Sequence, residues 1–322
     1  IGGTGKPVQK NGSGIGGTGQ SVQKTGFIVG TITGFGSICV NGIEIHYTSS
    51  TPLQLGGQSV DSTNSLAIGQ VVAVGISGTG NEVTANEMHI IHAASGPVSM
   101  INVEAGEIEL LGQKIQLPMG IARLNTLNSI QPGDYIDVSG LRDSNGNIVA
   151  SRIDKVAMRP TISLRGPISS ISNNSFNIEG IKINSPVPSG LSLGQEIRVS
   201  GQLDNDEIKA DNVMLSQEHR LKADIGGQVS IEGYINHSNN GLTTEIAGKV
   251  IQIPDDLRQE TGKITAEQRI IITGRLVENE VILMEHIRID TPDSVDSETL
   301  SHSPETKNTD HQNETHDKDE HD

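Results

Sequence analysis

The chain has 322 residues with 23 Lys and Arg against 39 Asp and Glu, a formal net charge of −16, and at ~100–200 residues per domain this length implies two or three ordinary domains or a longer series of small ones. The acid excess argues against a phosphate-binding surface, since neutralising a nucleic-acid backbone takes clustered cations, and aromatics at 2% leave few platforms for stacking bases or flat cofactors. A single cysteine, Cys39, excludes an internal disulfide framework and a Cys-based zinc site, and no apolar run approaches the ~18 residues of a membrane span.

Taken in chain order, residues 1–26 hold nine Gly, three Lys and no acid, a net charge of +3. The start at Ile1 reads as a processed or trimmed end, which leaves the compartment open. Too few apolar side chains are present to offset the cost of ordering this backbone, so an arm without independent structure is expected. Within it, Ile1 to Lys10 recurs as Ile15 to Lys24, identical at eight of ten positions and offset by fourteen. The duplication reads either as a Gly-rich spacer or as a segment that adds to an exposed strand edge of another copy, with Ile1, Val8, Ile15 and Val22 as anchors. Gly14-Ile15-Gly16-Gly17-Thr18-Gly19 fits the dinucleotide pattern but lacks the strand and helix that give the pattern its meaning, and Gly2-Gly3-Thr4-Gly5-Lys6 has Pro7 where a phosphate loop needs Ser or Thr.

A two-part signature then repeats. The first part is a hairpin with Gly second in its turn, clearest at Asn41-Gly42 and at Glu179-Gly180, and weaker at Leu111-Gly112 and Ala247-Gly248. The second is a Gly-Gln-x-x-x-Val strand, as in Leu193-Gly194-Gln195-Glu196-Ile197-Arg198-Val199-Ser200-Gly201, with relatives beginning at Gly69 and Gly133. The fourth relative has Glu267 in place of the leading Gly. Short strands with one apolar face and no crossover helices remove their edges most simply by closing into small barrels of the OB kind. The reading is therefore all-β: an arm at 1–26, barrels at 27–95, 96–159, 160–217 and a divergent one at 228–290, and a tail at 291–322. The only window of helical composition is Ser216 to Asp224, expected as a short linker.

The stretch Gly30-Thr31-Ile32-Thr33-Gly34-Phe35-Gly36-Ser37-Ile38-Cys39-Val40-Asn41-Gly42, preceded by Gly-Ile-Gly-Gly-Thr-Gly, resembles the opening of a bacterial family of secreted proteins of unknown function built from tandem OB-like repeats. The likeness extends over the first three units. It implies the barrel fold and a secreted or cell-surface location, and it brings no activity, cofactor or catalytic residue.

The tail carries ten acids against two Lys, a net charge of −8, and is expected to be separable from the fold. His302, His311, His316 and His321 sit there beside Asp310, Asp317, Asp319 and Asp322, so it reads as a solvated acidic segment or as a weak site for Zn, Cu or Ni. Met88, His89 and His92 form a smaller cluster, but on a strand residues 89 and 92 face opposite sides. No G-x-S-x-G, H-E-x-x-H or Cys-His signature is present, and Glu44, Glu109, Glu179 and Glu245 read as solvent-facing strand positions. These observations point to a non-enzymatic extracellular structural protein that assembles with copies of itself or with other surface proteins through its arm. The alternative is a module that binds a ligand or a divalent metal.

Overall fold

A computed structural model describes residues 23–60, 63–119, 121–216, 221–237 and 242–290. They form four small β-barrels. The third shows the plan most simply. β13 (Ile162–Ile171) pairs with β14 (Phe176–Ile178), β14 with β15 (Ile181–Asn184), β15 in parallel with β17 (Glu207–Leu215), β17 with β16 (Glu196–Asp204), and β16 again with β13. Closure in the order 1-2-3-5-4-1 pairs every edge, which is the OB arrangement expected from the sequence. The second barrel follows the same path through β8 (Ala94–Asn102), β9 (Glu107–Leu110), β10 (Gln113–Gln116), β12 (Ile148–Val156) and β11 (Tyr135–Arg142). The first uses β1 (Thr25–Gly34), β2 (Ile38–Val40), β3 (Ile43–His46), β7 (Glu82–Ile91) and β6 (Val71–Ser77). In the fourth the opening strand is broken into β18 (Gln228–Tyr234) and β19 (Asn236–His237), followed by β20 (Thr243–Ile246), β21 (Lys249–Gln252), β23 (Ile282–Ile289) and β22 (Arg269–Leu276).

The repeated signatures have physical causes. All four hairpin turns place two successive residues at positive φ: Asn41 and Gly42, Leu111 and Gly112, Glu179 and Gly180, Ala247 and Gly248. That is the type I′ geometry, whose twist matches that of the strands it joins. Gln70, Asp134, Gln195 and Gln268 each close the turn before the fourth strand with a side-chain oxygen that accepts the backbone N–H three residues earlier, at 2.8 Å in every case. The leading Gly of three of these turns donates its N–H to the first strand, to the carbonyls of Ile32, Val98 and Ile168. The Gly that ends the signature marks a register shift between the fourth and fifth strands, at Gly140, Gly201 and Gly274. A Cβ there would collide with the carbonyl of the neighbouring strand.

Between the third and fourth strands the barrels differ. The first inserts a hairpin, β4 (Leu53–Leu55) and β5 (Gln58–Ser59), with β4 lying parallel to the end of β7. The second inserts a helix, α1 (Ile121–Ser129), and the fourth a single turn, α2 (Arg258–Thr261). This corrects the expectation that helices are absent from the barrels. α1 escapes notice because Asn, Thr and Ser dilute its helical pattern and only Leu127, with Ile130 just beyond, is seen to enter the core. The described residues of the expected helical linker, 216 and 221–224, are not helical.

The four barrels are not strung in a line. The fourth returns to the first, where β1 and β18 run parallel with Phe27 opposite Val229 and Val29 opposite Ile231. The second and third join through β8 and β13, antiparallel, with Ser95 opposite Ser163. One apolar core runs through barrels 2 and 3, a second fills barrel 1, and a third lies in barrel 4 and extends onto Phe27, Val29, Val71, Ala73 and Ile91 of barrel 1. Among the described residues no helix is long and apolar enough to cross a membrane.

Candidate functional site

The joints leave a cleft of about 490 Å³ where barrels 1, 2 and 3 meet. Its floor is the outer face of barrel 3. Alternation along β13, β16 and β17 puts Ser163 and Arg165, Ser200 and Arg198, and Asn212 and Met214 on that face, and strand register sets them in two rows. Ser163, Ser200 and Asn212 form one row, which Ser95 of barrel 2 extends, and Arg165, Arg198 and Met214 form the other. One wall is the inserted hairpin of barrel 1, with Gly56 and Gly57 both at positive φ. Arg198 Nη1 donates to the Gly56 carbonyl at 2.7 Å, and Gly56 holds a left-handed backbone, φ +61°, that favours glycine.

The other wall carries His92, Ser95 and Arg159, gathered around Asp137 at the barrel 1–2 border. Ser95 Oγ and Arg159 Nη2 both donate to Asp137 Oδ1, while His92 Nδ1 lies 3.8 Å from Oδ2. A Ser, a His and an Asp are thus close together, but the serine addresses the carboxylate rather than the imidazole. A nucleophile needs the reverse order, with the base on the hydroxyl and the acid behind the base. Burial holds His92 below the usual histidine range despite Asp137 beside it, so its ring is neutral near pH 7. Arg165, fully within the structure, meets Glu196 with Nε 3.1 Å from Oε1.

A smaller cavity of about 200 Å³ lies among barrels 2, 3 and 4, lined by Arg142, Glu179, Glu196, Tyr234 and Glu245. Arg142 is committed there: it donates to the Gly146 and Arg165 carbonyls and to Gln113 Oε1, at 2.5, 2.7 and 2.7 Å. Burial, with Asp143 and Asp290 nearby, pushes the Tyr234 phenol up to about 12. At the barrel 1–4 joint, Glu232 is 2% exposed, accepts the Thr31 N–H at 2.6 Å and pairs with Arg269, which also reaches Thr31 Oγ1 and Asp290.

The residues singled out by sequence fare differently. Ile1, Val8, Ile15 and Val22 of the arm, and His302, His311, His316 and His321 of the tail, lie outside the described residues. His89 is buried and pairs with Glu87 at 3.1 Å, whereas His92 faces Asp137, so the two histidines share no site. No group of three or more His, Cys, Asp or Glu among the described residues is placed to hold a metal ion. Glu44 and Glu245 are exposed and Glu179 is half-buried, and Glu179 and Glu245 both line the smaller cavity. Sequence reasoning missed Arg165 and Arg198. The alternation Ile197-Arg198-Val199-Ser200 places Arg198 and Ser200 on one outward face, but nothing in it announces that barrel 1 covers that face.

Two consecutive segments, residues 25–89 and 95–154, match the family described as a domain of unknown function (DUF5666). Each match spans one barrel, so the first two barrels of the repeat expected from the sequence are similar to this domain. Among solved structures, a deletion mutant of the single-stranded DNA binding protein from Thermus aquaticus is similar at 11% identity over 64% of this chain and 96% of that chain, with a TM-score of 0.17. The wild-type form of the same protein gives 11% identity over 84% of this chain and 93% of that chain, with a TM-score of 0.14. No curated protein matches the chain.

Proposed function

We propose that this chain is a non-enzymatic structural protein of the cell exterior, a rigid block of DUF5666-type barrels linked to further copies through its N-terminal arm. The observation that carries this reading is the use made of the buried charges. Glu232, Arg269, Arg142 and Arg165 hold one barrel to another or one strand to the next through the ion pairs and hydrogen bonds they make. The resemblance of residues 30–42 to a secreted family supports the location. The duplicated segment supports the linking role, with Ile1, Val8, Ile15 and Val22 as anchors. Because each barrel is closed, the arm would add to the short free edges that remain, such as the two-residue strand β5.

Light scattering on the full chain and on a chain beginning at residue 23, which keeps all of β1, tests the proposal. Concentration-dependent association that disappears with the arm is expected. A monomer at every concentration, with and without the arm, would contradict it.

A further inference from the structure

The cleft between barrels 1, 2 and 3 departs from the rest of the molecule in charge. Acids outnumber bases 39 to 23 along the chain, yet the residues lining the cleft include three arginines and neither Asp nor Glu. Two of the arginines are neutralised from behind, Arg159 by Asp137 and Arg165 by Glu196. Arg198 is not. It donates to the Gly56 carbonyl, and no carboxylate among the described residues forms an ion pair with it. Arg198 also stands directly opposite Arg165 across the strand pair, a like-charge arrangement that is unfavourable unless something compensates it. Burial alone pushes its pKa down, whereas Arg142, Arg165 and Arg269 each have an acid opposing that shift. A guanidinium remains charged regardless, so Arg198 is a partly desolvated cation with donors to spare.

We propose that this cleft binds an oxyanion, a carboxylate or phosphate carried by a small organic molecule, with Arg198 as its counter-charge. Ser163, Ser200 and Asn212 lie in the adjoining row as neutral hydrogen-bond donors. Ser216, 1% exposed, also lines the cleft, and its Oγ has no partner among the described residues. The guanidinium fork matches the paired oxygens of either anion. A volume of about 490 Å³ suits a small molecule. No Phe, Tyr or Trp lines the cleft among the described residues, so a base finds no large stacking surface, while Ile90, Ile162 and Met214 offer an aliphatic body something to lie against.

Titration of the full chain with inorganic phosphate and, separately, with glutarate, followed through backbone amide shifts at constant ionic strength, tests the site and distinguishes the two sources of the anion. Saturable shifts confined to residues around Gly56, Ser163, Ser200 and Asn212 with either probe are expected. Asn212→Asp places a carboxylate diagonally across the strand pair from Arg198, at an exposed strand position where the fold should tolerate it, and should weaken binding by about tenfold, the order expected for losing one charge-assisted hydrogen bond. Arg198→Gln should weaken it at least as much. If that variant disturbs the barrel 1–3 contact, Asn212→Asp decides alone. Shifts that fail to saturate or spread over the surface, or unchanged binding by Asn212→Asp, would overturn the assignment.

Discussion

The two joints between barrels solve the same problem in different ways. Barrels 2 and 3 are neighbours in sequence, separated by residues 157–161, and a single apolar core runs through both, with Arg142 and Gln113 of barrel 2 reaching only backbone carbonyls of barrel 3. Barrels 1 and 4 meet through residues such as Thr31 and Glu232, 201 positions apart, and between them lies the carboxylate of Glu232 with Arg269, Thr31 and Asp290 around it. A short linker keeps barrels 2 and 3 together whatever their surfaces hold, so contact area suffices. Barrel 4 must select barrel 1 from three similar barrels. A buried carboxylate rejects any partner that leaves it unsatisfied. The difference teaches that the polar residues of β18 specify a partner, where the apolar residues of β8 and β13 fill volume.

The comparison is broken most severely at Arg269. Arg269→Met leaves Glu232 buried without its counter-ion and should cost about 3–5 kcal/mol in chemical denaturation, with Glu232→Gln in the same chain recovering a large part of it. If the double variant is no better than the single one, the ion pair is not what closes this joint.

A matched pair of glycine substitutions comes next. At the barrel 1–4 joint, a Cβ on Gly227 would overlap the Thr25 carbonyl oxygen, whereas at the barrel 2–3 joint a Cβ on Gly96 would meet only side chains, the nearest being Ile162 Cγ2 at 3.2 Å. Backbone cannot yield as a side chain can. Gly227→Ala should therefore lose about 2–3 kcal/mol and Gly96→Ala about 1 or less. Equal losses would mean that the two joints are equally tight.

Much of each barrel was legible in the sequence, and the joints were not. Asn41-Gly42 and Glu179-Gly180 announced their hairpins because a type I′ turn demands positive φ twice, and the Gly-Gln signature announced a turn that Gln70 and Gln195 close. β18 conceals its joint for a specific reason. Gln228-Val229-Ser230-Ile231-Glu232 alternates like a strand with one face in water, yet Ser230 and Glu232 are buried against barrel 1. In β1 the run Phe27-Ile28-Val29 is apolar on both faces, which is the mark of a strand covered twice. The cleft was half legible. Alternation fixes that Arg198 and Ser200 share a face, but the approach of Gly56 from 142 residues away depends on how barrels pack. Where side-chain pattern decides structure the sequence is readable; where one closed barrel chooses another, it is not.

Smaller effects sharpen the same contrast. Gln195→Ala removes the turn closure of barrel 3 without touching a joint and should cost about 1 kcal/mol, with no effect on how barrels 1 and 4 associate. Asp224 ties the entry of barrel 4 to barrel 1 by accepting the Thr25 N–H at 2.8 Å, and that hydrogen bond, with Lys24 nearby, holds its carboxyl below the usual range. A folded-state value below the unfolded one stabilises the fold above the unfolded value, and the contribution disappears as pH falls through the folded value. Acid should therefore loosen this joint, and Asp224→Asn should flatten the acid limb of stability. The same acid limb with and without the carboxyl would remove Asp224 from the account.

Small-angle X-ray scattering of residues 23–290 tests most directly whether the fourth barrel returns to the first. A compact body of this length has a radius of gyration of about 18–21 Å. Four barrels in line, each about 25 Å long from its eight-residue strands, would give about 29 Å. The compact value is the one predicted here, and a rod-like curve near the larger value would contradict the pairing of β1 with β18.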